Sequence, residues 1–151
     1  SSLDIRWSRC DIKSVSLLPN VMLKQKAKLK GAFECVMIDA EGFVTEATTS
    51  NLWIIKNNDL ITRPDCNKIL AGVTRKKILE VANLLNINVK LKKFYEKDIH
   101  KADAVFISNS SNIIIQAKSL NKKPLNSDKN KIIEKLKHKI FSDIDKYDKN
   151  Y

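Results

Sequence analysis

The segment Arg6-Trp7-Ser8-Arg9-Cys10-Asp11-Ile12-Lys13-Ser14 carries strand-like sequence straight into a lysine, and a helix follows. Leu3–Arg9 alternates imperfectly, as a strand does. From Val15 to about Lys30 the apolar residues Leu17, Leu18, Val21, Met22 and Leu29 recur at helical spacing, with the polar Gln25 in the same row. Gly31 supplies the stop, because glycine accepts the left-handed conformation that ends many helices.

Outward from there the period changes. Phe33–Ile38 is an apolar run suited to a buried strand, turned at Asp39-Ala40-Glu41-Gly42, and Phe43–Glu46 and Leu52–Ile55 follow as strands. Asn57-Asn58-Asp59 reads as a tight turn into Leu60–Thr62. Thr74 to about Leu85 is predicted helical, with Ile78, Leu79, Ala82 and Leu85 on one face. Val89–Phe94 alternates apolar residues with lysine, as a half-exposed strand does. A short helix over Glu96–Lys101 and strands over Ala104–Ile107 and Ile113–Ala117 complete the mixed region, which the Lys122-Lys123-Pro124 turn closes. Beyond it comes a basic amphipathic helix with Ile132, Ile133, Leu136, Ile140, Phe141 and Ile144, then a frayed end. No repeat or long linker interrupts the chain. The expected fold class is α/β, as a single domain.

The 151 residues are 43% apolar, enough for one domain with a buried core. No apolar run approaches the roughly 18 residues of a membrane span, and no charged-then-apolar leader stands at the start. A cytoplasmic protein without membrane contact is expected. The opening Ser1-Ser2-Leu3, with strand-like sequence almost at once, suggests a piece trimmed at a domain boundary. Cys10, Cys35 and Cys66 are odd in number and far apart, which favours free thiols in a reducing compartment over disulfides or a zinc site.

The net charge of +11 raises the question of nucleic acid. Of 28 basic residues, however, only Arg6, Arg9, Arg63 and Arg75 are arginine, the residue suited to bidentate phosphate and base recognition. Residues 1–75 carry 11 basic and 8 acidic side chains and residues 76–151 carry 17 and 9, so the excess lies on helix surfaces and the tail. Nucleic acid is not the expected partner. His100 and His138 fall on polar surface and are assigned no chemistry.

Three stretches carry chemistry in a fixed order. The first is Arg6–Ser14 with a following helix that holds Lys24-Gln25. The second is Val44-Thr45-Glu46-Ala47-Thr48-Thr49-Ser50-Asn51, and the third is Ile69-Leu70-Ala71-Gly72-Val73-Thr74-Arg75. Together they resemble the class IV (fold-type IV) pyridoxal-phosphate-dependent aminotransferases, over about Leu3 to Leu125. The first stretch is most similar to the D-amino-acid aminotransferases among them. The resemblance implies the large C-terminal domain of that fold, a mixed sheet closed as a pseudo-barrel with packed helices. Residues 1–125 would be the cofactor-binding part and 126–151 a basic helix and tail of the same domain, with the N-terminal domain absent.

An aminotransferase must hold the cofactor aldehyde on a lysine and then use that amine to move a proton. The resemblance makes Lys13 this Schiff-base lysine. Partial burial and a neighbouring cation lower a lysine pKa, by up to several units. Taken alone, Lys13 is one of 24 lysines and reads as solvated surface. Glu46 matches the acid that faces the pyridine nitrogen of pyridoxal 5′-phosphate; taken alone it is a strand-end glutamate. The family has glycine directly after this acid where Ala47 stands, and alanine tolerates a positive φ poorly.

Gly72-Val73-Thr74 sits where a turn feeds a helix N-terminus, whose unpaired N–H groups and dipole favour an anion. By resemblance it is the phosphate cup, formed by the amides of Val73 and Thr74 with the Thr74 hydroxyl. The plainer reading makes Thr74 an N-cap. Leu70 matches an aliphatic residue packed on the cofactor ring, with a core leucine as the alternative. Ser110, within Ser108-Asn109-Ser110-Ser111, matches a phosphate-contacting hydroxyl, and Thr49 with Ser50 would touch the cofactor or its surroundings. No metal site is expected.

The implied activity is transamination between an amino acid, such as D-alanine, and a 2-oxo acid, by a homodimer. This chain would be the cofactor-binding half, and the absent domain would supply an arginine to the phosphate and the substrate carboxylate grip. The alternatives are 4-amino-4-deoxychorismate lyase and branched-chain aminotransferase. Outside enzymes they are a basic binding module or an inactive remnant.

Overall fold

The computed structural model describes residues 1–148, with side chains through residue 145. In chain order the elements are β1 (Ser2–Leu3), α1 (Leu18–Leu29), β2 (Val36–Ile38), β3 (Val44–Ala47), β4 (Asn51–Lys56), β5 (Asp59–Thr62) and α2 (Val73–Leu84). They continue with β6 (Val89–Leu91), α3 (Glu96–His100), β7 (Ala104–Asn109), β8 (Ile113–Gln116), β9 (Ser119–Leu120), β10 (Lys123–Pro124) and α4 (Lys131–Asp148).

A five-stranded sheet in the order β6-β5-β4-β7-β8 forms the centre, antiparallel except where β5 runs parallel to β6. β4 and β7 are buried along almost their whole length, so both faces of the sheet must be covered. Period-two alternation sorts their side chains. Trp53, Ile55, Ala104 and Phe106 meet Ile78, Val81 and Ala82 of α2 and Ile133, Leu136 and Ile140 of α4. Leu52, Ile54, Val105 and Ile107 face the other way, against Val44, Ala47, Phe94 and Ile99. A second sheet, β1-β2-β3, lies on that side, and α1 packs Leu23 and Ala27 over Cys35 and Met37.

Local chemistry sets the connections. Gly31 (φ 72°) closes α1: its N–H donates to the Lys28 carbonyl and that of Ala32 to the Ala27 carbonyl, the reciprocal pair that satisfies a helix end. Asn57 and Asn58 both take positive φ, as a two-residue hairpin between β4 and β5 requires.

The expected α/β class with a mixed sheet is what the chain adopts, and several boundaries differ for visible reasons. The strand expected over Leu3–Arg9 ends at Leu3, because the Asp4 carboxylate accepts from the backbone N–H and the Nε of Arg6 and bends the chain. α1 begins at Leu18 instead of Val15, and Pro19, which lacks an N–H, is confined to its first turn. The strand expected from Phe33 starts at Val36, since Glu34 turns its carboxylate onto the amides of Cys35, Thr48 and Thr49. On α2 the buried positions include Arg75 and Val81, whereas Leu79 and Leu85 are only partly covered. α4 appears as expected, with Phe141 and Ile144 at its exposed edge; for the frayed end expected after it, residues 149–151 lie outside the described residues.

Among the described residues, no helix is long and apolar enough to cross a membrane. The buried seam between α2 and α4 should be costly to hollow out. Leu136→Ala should lower the free energy of unfolding by about 2–5 kcal/mol in urea denaturation, and Phe141→Ala by under about 1 kcal/mol.

Candidate active site

β3 delivers Glu46 to the interior with only 5% of its surface exposed, and a carboxylate there needs donors. Three chain segments provide them. Arg6 Nη1 donates to Oε1 at 2.5 Å, Asn51 Nδ2 donates to Oε2 at 2.9 Å, and the Leu70 N–H reaches the two oxygens at 3.2 and 3.3 Å. Burial nevertheless pushes the Glu46 pKa up to about 7, against the pull of the Arg6 charge.

Arg6 is shared, which limits that pull. Its Nε and Nη2 grip the two oxygens of Asp4 at 2.9 and 2.7 Å, and Nη2 also donates to the Lys68 carbonyl at 3.0 Å. Burial alone would raise the Asp4 pKa, but the hydrogen bonds and charge of Arg6, helped by the Thr45 hydroxyl, hold it below the ordinary value. Arg6 itself is buried, yet its two carboxylates keep it firmly charged.

The third segment leads to a helix end. Asn51 Nδ2 also donates to the Leu70 carbonyl at 2.7 Å, and Gly72 follows as the N-cap residue of α2. No side chain caps this terminus, and Thr74 is the second residue of the helix, not its N-cap. The first amides of α2 therefore lack helical acceptors, and Val73 beside them is 74% exposed. A side chain at position 72 would have no room: its Cβ would come within 2.7 Å of Asn51 Oδ1.

Cross-strand register brings the serine turn to the same end. Asn51 pairs with Ser108, so the β7–β8 turn that exposes Ser110 stands beside the start of β4. Asn109 fixes that turn, accepting from the amides of Ser111 and Asn112 while its Nδ2 donates to Ser50 Oγ at 2.9 Å.

Thr49 is placed differently. Its hydroxyl and that of Thr48 donate to Glu34, which also pairs with Lys24 at 3.1 Å, so the turn after Glu46 is clamped from below. Ala47 meets no conformational difficulty: it pairs with Val36 inside β3 and is not among the residues with positive φ.

Lys13 lies in the loop between Cys10 and α1, exposed, so the partial burial expected for it is not provided by this chain's own packing. Its segment is nonetheless tied to the site. The Cys10 N–H donates to the Asn67 carbonyl at 2.8 Å, and Arg6 holds the neighbouring Lys68 carbonyl. Three residues past that anchor, Lys13 is within about 11 Å of chain from it. A groove of about 460 Å³ along Leu79, Asn83, Ile87, Asn88, Val89 and Leu91 involves none of these residues.

The donor set suits pyridoxal phosphate. A carboxylate offers about four lone-pair directions, and the long Leu70 contact is shared between both oxygens of Glu46, so a ring N–H would compete with that weakest donor. The uncapped α2 terminus offers amides to an anion, and the Gly72 backbone, lacking Cβ, leaves Asn51 in place beside it. The sequence pattern quoted Arg6 and Asn51 without giving them roles and passed over Asp4 and Glu34. An Asp-x-Arg pair in strand-like sequence is the one local signal for the first of these.

The family description Amino-transferase class IV matches residues 1–120. The chain belongs to the class IV aminotransferases. It is 40% identical to the D-alanine aminotransferase of Bacillus licheniformis over 124 residues, which are 82% of this chain and 44% of that protein. The chain thus spans less than half the length of this curated relative. Among solved class IV-like structures, a Legionella pneumophila protein provisionally assigned as a 4-amino-4-deoxychorismate lyase superposes with TM-score 0.85 at 30% identity, covering 94% of this chain and 55% of that one. A Brucella abortus aminotransferase bound to the cofactor PLP superposes with TM-score 0.81 at 17% identity, covering 94% and 53%.

The titration of Glu46 has a direct consequence for stability. Its folded pKa lies above the ordinary 4.5, so its contribution is whole below about pH 4.5 and is lost as pH rises through about 7. The wild-type chain should lose up to roughly 3 kcal/mol between about pH 5 and pH 8 from this source. Urea unfolding of Glu46→Gln should show that slope flattened; an unchanged slope would assign it elsewhere.

Proposed function

We propose that this chain is the cofactor-binding half of a pyridoxal-phosphate-dependent aminotransferase acting between an amino acid and a 2-oxo acid, with D-alanine or a similar D-amino acid as donor. One observation carries the reading. A buried carboxylate and an uncapped helix N-terminus stand at one end of the fold, and both connect to the segment that bears Lys13. The D-alanine aminotransferase similarity supports the choice of donor.

Pyridoxal phosphate, when bound, supplies an aldehyde for an amine and a ring that accepts electrons from the bond being broken. Val73 and Thr74 would hold the phosphate with backbone amides, joined by the hydroxyls of Thr74 and Ser110. Glu46 becomes ionised when a cation faces it and so keeps a proton on the ring nitrogen. Leu70 presents an aliphatic side chain to the ring. Lys13 would hold the cofactor aldehyde through Nζ and would move the substrate α-proton. Thr49 acts through its bond to Glu34, shaping the turn next to Glu46.

We take residues 1–125 and 126–151 as one domain, which the burial of Ile133, Leu136 and Ile140 against α2 and the sheet supports. The remainder of such a protein would supply the substrate carboxylate grip. The exposed apolar side chains Trp7, Ile12, Val15, Leu17, Leu18 and Val21 support further packing there, in a homodimer. Three free cysteines fit a reducing, cytoplasmic setting.

The lyase is the second reading, favoured by the 0.85 TM-score of the Legionella protein. Release of pyruvate without an amino acceptor would select it over transamination. For either, the purified chain with added pyridoxal phosphate should gain a visible absorption band that Lys13→Ala abolishes; a band that persists in the variant would overturn the role of Lys13. In a protein carrying the remaining domain, Glu46→Ala should keep the band but slow transamination by roughly 100-fold or more. Unchanged turnover would remove Glu46 from the ring.

A further inference from the structure

We infer that Asn51 is a positioning residue that fixes the spacing between the Glu46 carboxylate and the N-terminus of α2. The inference takes its ligand from the aminotransferase reading above, and its mechanics from side-chain geometry alone. Asn51 is buried at the first position of β4, paired with Ser108 in the middle of the central sheet. It is therefore held by the stiffest part of the fold. Its amide nitrogen has two hydrogens, and the two acceptors belong to different parts of the site: Glu46 Oε2 at 2.9 Å and the Leu70 carbonyl at 2.7 Å. Its oxygen occupies the space that any Cβ at position 72 would enter.

One side chain thus touches the carboxylate assigned to the ring nitrogen, the turn that leads to the phosphate amides, and the glycine at the head of the helix. A ligand with a cationic ring and a phosphate must satisfy both ends at once, so its affinity depends on their separation. The Gly72 requirement follows from the same contact. With both amide hydrogens engaged, Asn51 cannot swing aside for a methyl group as a free surface side chain would.

Two measurements test this. The first is a double-substitution cycle on the unfolding of the chain itself with Asn51→Ala and Gly72→Ala. The Gly72→Ala penalty should be large in the wild-type background and shrink by at least half beside Asn51→Ala, whose truncation vacates the space. Additive penalties would overturn the contact as the reason for glycine. If Asn51→Ala fails to fold, Asn51→Ser opens similar room and retains one donor.

The second measurement compares the binding of pyridoxal 5′-phosphate and of pyridoxal, which lacks the phosphate, followed by the visible band. Asn51→Ala should weaken the phosphorylated ligand by about tenfold or more and the unphosphorylated one much less, because only the former spans both ends. Equal losses would mean a merely structural residue and would overturn the positioning role. A wild-type chain that gives no band with either aldehyde counts against the aminotransferase reading, while the unfolding cycle still decides the Asn51 contact independently.

Discussion

A carboxylate taken out of water has to be satisfied by groups brought to it, and Glu46 draws those groups from three separate segments of the chain. Arg6 comes from the segment after β1, Asn51 from the start of β4, and the Leu70 amide from the turn before α2. The cost of burying a charge falls steeply only when such donors are in place. The lysine-bearing segment, the start of β4 and the turn before α2 are therefore tied together through one side chain. Burial raises the Glu46 pKa to about 7 against the pull of Arg6, which is shared with Asp4, so both protonation states of Glu46 are populated near neutral pH.

The rest of the architecture keeps that end of the molecule stiff. Both faces of the central sheet are packed, so β4 and β7 have little freedom to shift, and the turns that leave them inherit this order. Glu34 acts in the same way from the other side. Burial works against its charge, but the Thr48 and Thr49 hydroxyls and Lys24 outweigh that effect and keep it ionised, holding the turn after β3. Loops that bear chemistry are commonly anchored to a rigid scaffold in this fashion.

Much of the fold was legible because its central strands are continuous apolar runs and its helices repeat with period 3.6. β4, β7, α2 and α4 fall close to where those patterns place them. The misplaced boundaries share a cause. At Asp4 and Glu34 a side chain captures backbone or neighbouring polar groups, ending one strand early and delaying the start of another, which a pattern of apolar residues does not register. The candidate site residues divide in the same way. Lys13, Glu46 and the Gly72-Val73-Thr74 turn stood out through their order along the chain. The partners that orient Glu46 act across 40 residues in the case of Arg6, and the need for glycine at position 72 arises from a contact with Asn51, so neither is visible locally.

Lys13 and the apolar side chains around it pose a shared demand. Val15, 99% exposed, lies two residues past the lysine, and Leu17, Leu18, Val21 and Met22 continue the same uncovered stretch into α1. A surface that covered this strip would bury the leucines and enclose Lys13 in the same event, so the walls around the lysine are completed from outside this stretch of chain.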